Sequence, residues 1–261
     1  MEKTIFQQKL TWHGKAADGR FWDGQWESKI DHALMKSRIP SSLSGILQRI
    51  PRGARILEAG CGRGNIVKAL LSAGYQAEGI DIAESTVHIL QSRHLPVHRM
   101  DVRILEYPAD SFDAYLSLGV VEHFFDESES RRILQEAVRV TRPGGRIFCS
   151  VPYTNCLRAR YFKRRREQDP EINPANFYQR SYTADQFRGL FEGLPLKIEH
   201  IGYENPVKGI TEELPALKWL RKLPFVLLIT WLQEMTGCFD PFAHMICFEL
   251  LNSKKIAVSA L

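Results

Sequence analysis

Between residues 55 and 151, short apolar runs alternate with stretches in which apolar residues recur every three or four positions. Arg55–Ala59, Ala77–Asp81, Val97–Met100, Phe112–Leu118 and Arg146–Val151 have the length and apolar content of strands. Asn65–Ala73, Ala83–Arg93 and Glu127–Val140 have the spacing of amphipathic helices, and Gly74 and Pro96 stop the first two. Apolar strands separated by helices predict a parallel sheet covered on both faces, with right-handed crossovers. Further on, Thr183 is placed to cap a helix over Thr183–Glu192, and Leu196–Tyr203 and His244–Leu251 read as two more strands.

Three segments escape this rhythm: 1 to about 45, 152 to 182, and 205 to 241, which hold many of the aromatics and most of the prolines. They read as an N-terminal cap segment, 1–45, and two cap insertions at about 152–182 and 205–241 on a core that occupies 46–261. The 261 residues suit one domain with such a cap. A formal charge of +5 gives weak attraction to anions and does not by itself imply nucleic acid. Five cysteines with no CxxC pair read as reduced thiols. MEKTIFQQKL has charges where a signal peptide is apolar, and the longest apolar run, Phe225 to Leu232, is far short of the ~20 residues a membrane span needs. The expectation is a cytoplasmic chain, with contact to a membrane surface left open.

The first strand feeds the stretch ARILEAGCGRGNIVKAL, with Glu58 followed by glycines at 60, 62 and 64. Glycines at the carboxyl end of a parallel strand let the backbone turn tightly and approach a ligand, and the next helix offers free N–H groups. Dinucleotides and S-adenosylmethionine both fit such a loop. The dinucleotide fingerprint GxGxxG would put its third glycine at 65, which is Asn65, and a pyrophosphate would repel Glu58. An acid there suits a ligand that carries an ammonium group.

ILEAGCGRG resembles the first motif of the class I S-adenosylmethionine-dependent methyltransferases, E/DxGxGxG. The resemblance implies that Glu58 serves the methionine amine and that Gly60, Cys61, Gly62 and Gly64 line the cofactor. AEGIDIAES resembles the family's second strand, so Asp81 would accept the ribose hydroxyls and Ile82 would lie beside the adenine. In the third motif, Asp101 would meet the adenine amine and Val102 its ring. LSLGVVEHF resembles the end of the fourth strand, with Leu118 or Gly119 near the sulfonium, and RVTRPGGRIFCSVP resembles the element leading into the fifth. These matches run in the family's order over about residues 45 to 204, and look most like the ubiquinone-type and small-molecule branch. The implied fold is a Rossmann-like α/β architecture: a seven-stranded, mostly parallel sheet, its last strand antiparallel, with helices on both faces.

The resemblance implies an enzyme that moves a methyl group to an acceptor by in-line displacement, with alignment and water exclusion as its main tasks. His123 is the candidate general base, since its unperturbed pKa suits that work; the alternative is that the Glu122-His123 pair belongs to the scaffold. Family members acting on exocyclic amines commonly carry Asp/Asn-Pro-Pro-Tyr where this chain has Ser117-Leu118-Gly119-Val120. An oxygen or carbon of a small or lipid-like acceptor is therefore expected, and nucleic acid is not. No metal is expected: His94 and His98 are separated by Pro96, which forbids the helix that would bring them to one face. Gly144-Gly145 reads as a turn.

Phe21–Trp26 either closes over the cofactor or packs on the core, with Trp12 and Tyr153 as candidate additions. RARYFKRRR, Arg158 to Arg166, is either a solvated mobile loop or a landing site for an anionic partner. Residues 214–235 mix cations with large apolar side chains and read as a buried helix or an interfacial one, interrupted at Pro224. The rival readings are a nicotinamide-dependent oxidoreductase and a non-catalytic cofactor-binding protein.

Overall fold

The computed structural model describes residues 10–12, 18–165, 177–222 and 225–255. It begins with β1 (Leu10–Trp12), α1 (Gly19–Trp26), α2 (Ile30–Met35) and α3 (Ser41–Leu47). The alternating part follows: β2 (Arg55–Ala59), α4 (Asn65–Ser72), β3 (Gln76–Asp81), α5 (Glu84–Ser92), β4 (Val97–Arg99), β5 (Phe112–Leu118), α6 (Glu127–Val140) and β6 (Thr141–Pro152). The remainder is α7 (Cys156–Arg165), β7 (Phe177–Arg180), α8 (Ala184–Gly189), β8 (Leu196–Glu204), α9 (Pro206–Glu213), α10 (Phe225–Thr236) and β9 (Met245–Asn252).

Seven strands form one sheet in the order β4-β3-β2-β5-β6-β9-β8; β1 and β7 pair separately. The strands from β4 to β6 are mutually parallel, and β9 is antiparallel to both β6 and β8. This is the Rossmann-like sheet with an antiparallel last strand that the pattern and the resemblance predict. After β2 the chain builds outward through β3 and β4, then returns to lay β5 on the other side of β2. That reversal opens a crevice at the carboxyl ends of β2, β3 and β5, where open parallel sheets place their ligands.

Helices α4, α5 and α6 bury the face their periodicity marks. On α6, Ser130, Ile133, Leu134, Ala137 and Val138 are buried, and Asp126 caps its start by accepting from Ser128 N at 2.8 Å. Thr183 caps α8 through a reciprocal box with Gln186. One core cluster holds α6 and α8 against the sheet, and a second holds α3, α4 and α5.

Three expectations take a different form. Gly144 and Gly145 lie inside β6, where the pairing with β5 jumps from Phe112↔Thr141 to Ala114↔Arg146. The glycine pair is a bulge in the strand, and a Cβ at Gly145 would fall 2.8 Å from the Asp113 carbonyl. The start of RARYFKRRR belongs to helix α7, and Arg158 is buried, neither solvated nor free for a landing site. Its guanidinium pairs with Glu213 at 2.6 Å and Glu212 at 3.0 Å and donates to the Tyr153 carbonyl at 2.7 Å, which ties α9 to the sheet. Residues 214–235 form a 3-10 segment, Pro215–Lys222, followed by α10. The readings placed on the side chain of Trp12, on the end of RARYFKRRR and on Pro224 lie outside what is described. No described helix is long and apolar enough to cross a membrane.

Candidate active site

Glu58 and Asp81 sit near the carboxyl ends of the neighbouring strands β2 and β3, and both are buried. Glu58 Oε2 accepts from Val67 N at 3.1 Å. Asp81 accepts from Gly62 N at 2.7 Å through Oδ2 and from Ala83 N at 3.0 Å through Oδ1. Burial raises the pKa of both carboxyls; the charge of Asp81 adds to the rise at Glu58, and that of Asp23 adds to the rise at Asp81. Among the described residues no Lys, Arg or His forms an ion pair with either acid.

The loop between them turns on Gly60, Gly62 and Gly64, with φ of 73°, 47° and 69°. A Cβ at Gly60 would fall 2.5 Å from Val120 Cγ2, and one at Gly62 would meet the Trp26 ring at 3.4 Å. Gly64 turns away from the crevice and packs on Leu90 and Leu95 as the chain enters α4.

The crevice is a cavity of about 680 Å³, within the range of small-molecule sites. Glu58, Gly60, Cys61, Gly62, Asp81 and Ile82 line one side, with Asp101, Val102, Leu118 and His123 farther along. Of the residues that the resemblance assigns to the cofactor, only Gly64 is outside its walls. Partial burial pushes the Asp101 carboxyl up, but hydrogen bonds and the charge of Arg103 outweigh it and hold the pKa below its usual value. Arg103 reaches Asp101 at 2.6 Å and also pairs with Glu129.

Helix α1 roofs the cavity with Trp22 and Trp26, whose rings stack at 5.5 Å. Asp18 caps α1 by accepting from Phe21 N at 2.9 Å, and Asp23 accepts from Thr86 N at 2.8 Å, which pins the roof to the start of α5. The Arg63 guanidinium lies 5.6 Å from the Trp26 ring centre. Of the two readings of Phe21–Trp26, the structure shows closure over the cavity; Tyr153 packs on Tyr203 and is not part of it. Tyr178, Arg63 and Arg103 also line the cavity without any signal in the sequence beyond Arg103 lying two residues past Asp101.

His123 ends a 3-10 turn after β5, and its Nδ1 lies 2.7 Å from the Tyr178 carbonyl. Its ring meets that of Trp22 edge-on at 4.7 Å. Burial lowers its pKa to about 4, against the hydrogen bonds to the Tyr178 and Gly119 carbonyls. The ring is therefore neutral near pH 7; an Nδ1–H donated to Tyr178 leaves Nε2 as the acceptor. Glu122 does not line the cavity, and burial pushes its pKa up to about 8, so its carboxyl carries a proton at pH 7. Among the described residues no group of His, Cys, Asp or Glu is placed to hold a metal ion.

Two buried acids that pair with no Lys, Arg or His among the described residues fit a ligand that is itself cationic and carries hydroxyl groups. Residues 57–149 match a family model described as a methyltransferase domain. Over 143 residues the chain is 30% identical to a ubiquinone biosynthesis O-methyltransferase of Xanthomonas axonopodis pv. citri, covering 52% of this chain and 57% of that protein. Over 109 residues it is 30% identical to a tRNA (carboxymethyluridine(34)-5-O)-methyltransferase of Arabidopsis thaliana, covering 42% and 26%. The chain thus spans little more than half the length of the ubiquinone biosynthesis O-methyltransferases it matches. A SAM-dependent methyltransferase of Methanosarcina mazei shares the fold, with a TM-score of 0.57 at 16% identity over 82% of this chain and 98% of that one. By its sheet order and the match at residues 57–149, the chain carries a methyltransferase domain with the fold of the class I S-adenosylmethionine-dependent methyltransferases.

Proposed function

We propose that the chain is an S-adenosylmethionine-dependent methyltransferase acting on an oxygen or carbon of a small or lipid-like acceptor. The observation that carries this reading is the pair Glu58 and Asp81: two buried carboxylates facing one cavity across the glycine loop, neither of them ion-paired with a Lys, Arg or His among the described residues. When bound, S-adenosylmethionine supplies an electrophilic methyl group. Glu58 would hold its ammonium end and Asp81 its ribose hydroxyls, with Asp101, Val102 and Ile82 around the adenine and Leu118 beside the reacting centre. Each well-aligned hydrogen bond to a carboxylate contributes about 1.5–3 kcal/mol.

The rest of the site serves alignment and dryness. Trp22 and Trp26 cover the cavity, and Tyr178 fixes His123 through its carbonyl. In this reading the segments 1–45, 152–182 and 205–241 shape the acceptor end. His123 accepts the acceptor's proton; with a pKa of about 4 it is a weak base, effective only as that proton becomes acidic during transfer. The oxygen acceptor is supported by the Xanthomonas relative's name and by Ser117-Leu118-Gly119-Val120 standing where an amine-directed motif would be. The Arabidopsis relative's name specifies tRNA, whereas the roofed, aromatic cavity favours a small molecule.

Incubation of the protein with methyl-labelled S-adenosylmethionine and cell extract, followed by mass spectrometry, should place the label on oxygen or carbon in a low-molecular-weight or lipid product. With that product in hand, His123→Ala should lower turnover about 100-fold. Label confined to RNA would contradict the small acceptor, and turnover unchanged by His123→Ala at every pH would remove the base.

A further inference from the structure

We propose that the insertion between β8 and β9 is a docking face for an anionic lipid bilayer. Leu214, Trp219, Leu228 and Met235 are 43%, 57%, 54% and 67% exposed, four of the nine large apolar side chains most open to solvent among the described residues. Leu228 and Met235 are seven positions apart on α10, so they share one face of the helix. Trp219 projects from the 3-10 segment between Lys218 and Lys222, which are both exposed and have no ion-pair partner among the described residues.

Among the described side chains, no acid of the insertion pairs with these lysines. Glu212 and Glu213 are drawn inward by Arg158, at 3.0 and 2.6 Å, and Glu212 also lies 3.1 Å from His244 Nδ1. Gln233 anchors the opposite side of α10 to the Tyr203 carbonyl at 2.6 Å. The face turned outward is therefore apolar and cationic together. Tryptophan flanked by lysines suits the headgroup layer, apolar side chains suit the acyl boundary, and unpaired cations suit anionic lipid. A polyanion such as RNA would use the lysines but gain nothing from Leu228 and Met235. A second copy of this chain would bring the same lysines against themselves across a two-fold axis.

The placement also matters for the site. β8 runs parallel to β2, so its end at Glu204 and the start of β9 at Met245 lie at the sheet edge that carries Glu58 and Asp81. The docking face leaves the fold at the edge where the cavity opens. Delivery of an amphiphilic acceptor from the bilayer follows if the methyltransferase reading holds; the docking itself does not depend on it.

The test is co-sedimentation of the full chain with vesicles of phosphatidylcholine and with vesicles of equal parts phosphatidylcholine and phosphatidylglycerol. Binding to the mixed vesicles should be at least tenfold tighter and should weaken with added salt. The pair Lys218→Glu with Lys222→Glu should remove the preference, and the pair Trp219→Ala with Leu228→Ser should weaken binding to both kinds of vesicle. All four positions are on the surface, and equal responses to S-adenosylhomocysteine in a calorimetric titration would show the variants folded. No binding to mixed vesicles, or binding unchanged by both pairs, would overturn the proposal. So would a dimer in sedimentation velocity that the same substitutions disperse. Any of these outcomes leaves the cofactor titration, and so the methyltransferase reading, untouched.

Discussion

At Gly60 the backbone turns with φ of 73° while Val120 Cγ2 occupies the space a Cβ would need, at 2.5 Å. Gly60→Ala should therefore cost about 1–3 kcal/mol, from left-handed backbone and overpacking together, and lower the melting temperature by several degrees. A melting temperature within a degree of the parent would show that the loop can shift to make room. Gly64 has the same positive φ but faces Leu90 and Leu95. The motif spacing announces both glycines alike, because it fixes where the chain must turn and not which side of the turn meets a ligand. Glu58 was legible for the same local reason, as a carboxylate near the end of an apolar strand before a glycine loop, whereas Asp81 was legible through the resemblance of AEGIDIAES to the family's second strand. Tyr178 was not, since it is brought to the cavity by packing between elements distant in sequence.

At the scale of elements, α4, α5, α6 and the five parallel strands follow the apolar periodicity to within a residue or two at most ends, because each buries its marked face on one sheet. Helix α7 shows where that reasoning fails. Its run of cations reads as a solvated surface, yet Arg158 is buried and bridges two acids that lie more than fifty residues later. No local pattern marks Arg158 as a cation with a buried partner. Arg158→Met should destabilise the fold by roughly 3–5 kcal/mol, because it breaks the buried Arg158–Glu213 ion pair. Urea unfolding measures this; a loss under about 1 kcal/mol would mean that the pair is dispensable.

Across the whole molecule, the strand order β4-β3-β2-β5-β6-β9-β8 sets the ligand crevice, and the alternation of strands with helices predicts its parallel half. What covers the crevice is less legible, because the caps are aromatic segments with no repeat of their own. The two acids link the crevice to pH. Both folded-state pKa values are raised, so the ligand-free fold binds more protons than the unfolded chain just above the usual carboxylate range. Their contribution to stability is present below the unfolded pKa and is lost as pH rises through the folded one. A cation bound between them favours the carboxylates, so binding should release protons at acidic pH and tighten as pH rises.

Calorimetric titration of S-adenosylmethionine into the protein and into Asp81→Asn, over about pH 5 to 8 and in two buffers of different ionisation enthalpy, tests the central claim most directly. The account predicts one site per chain, proton release at the acid end, affinity that increases with pH, and a loss of about tenfold or more in Asp81→Asn. Affinity indifferent to pH and to that substitution, or tighter binding of a nicotinamide dinucleotide than of S-adenosylmethionine, would contradict it.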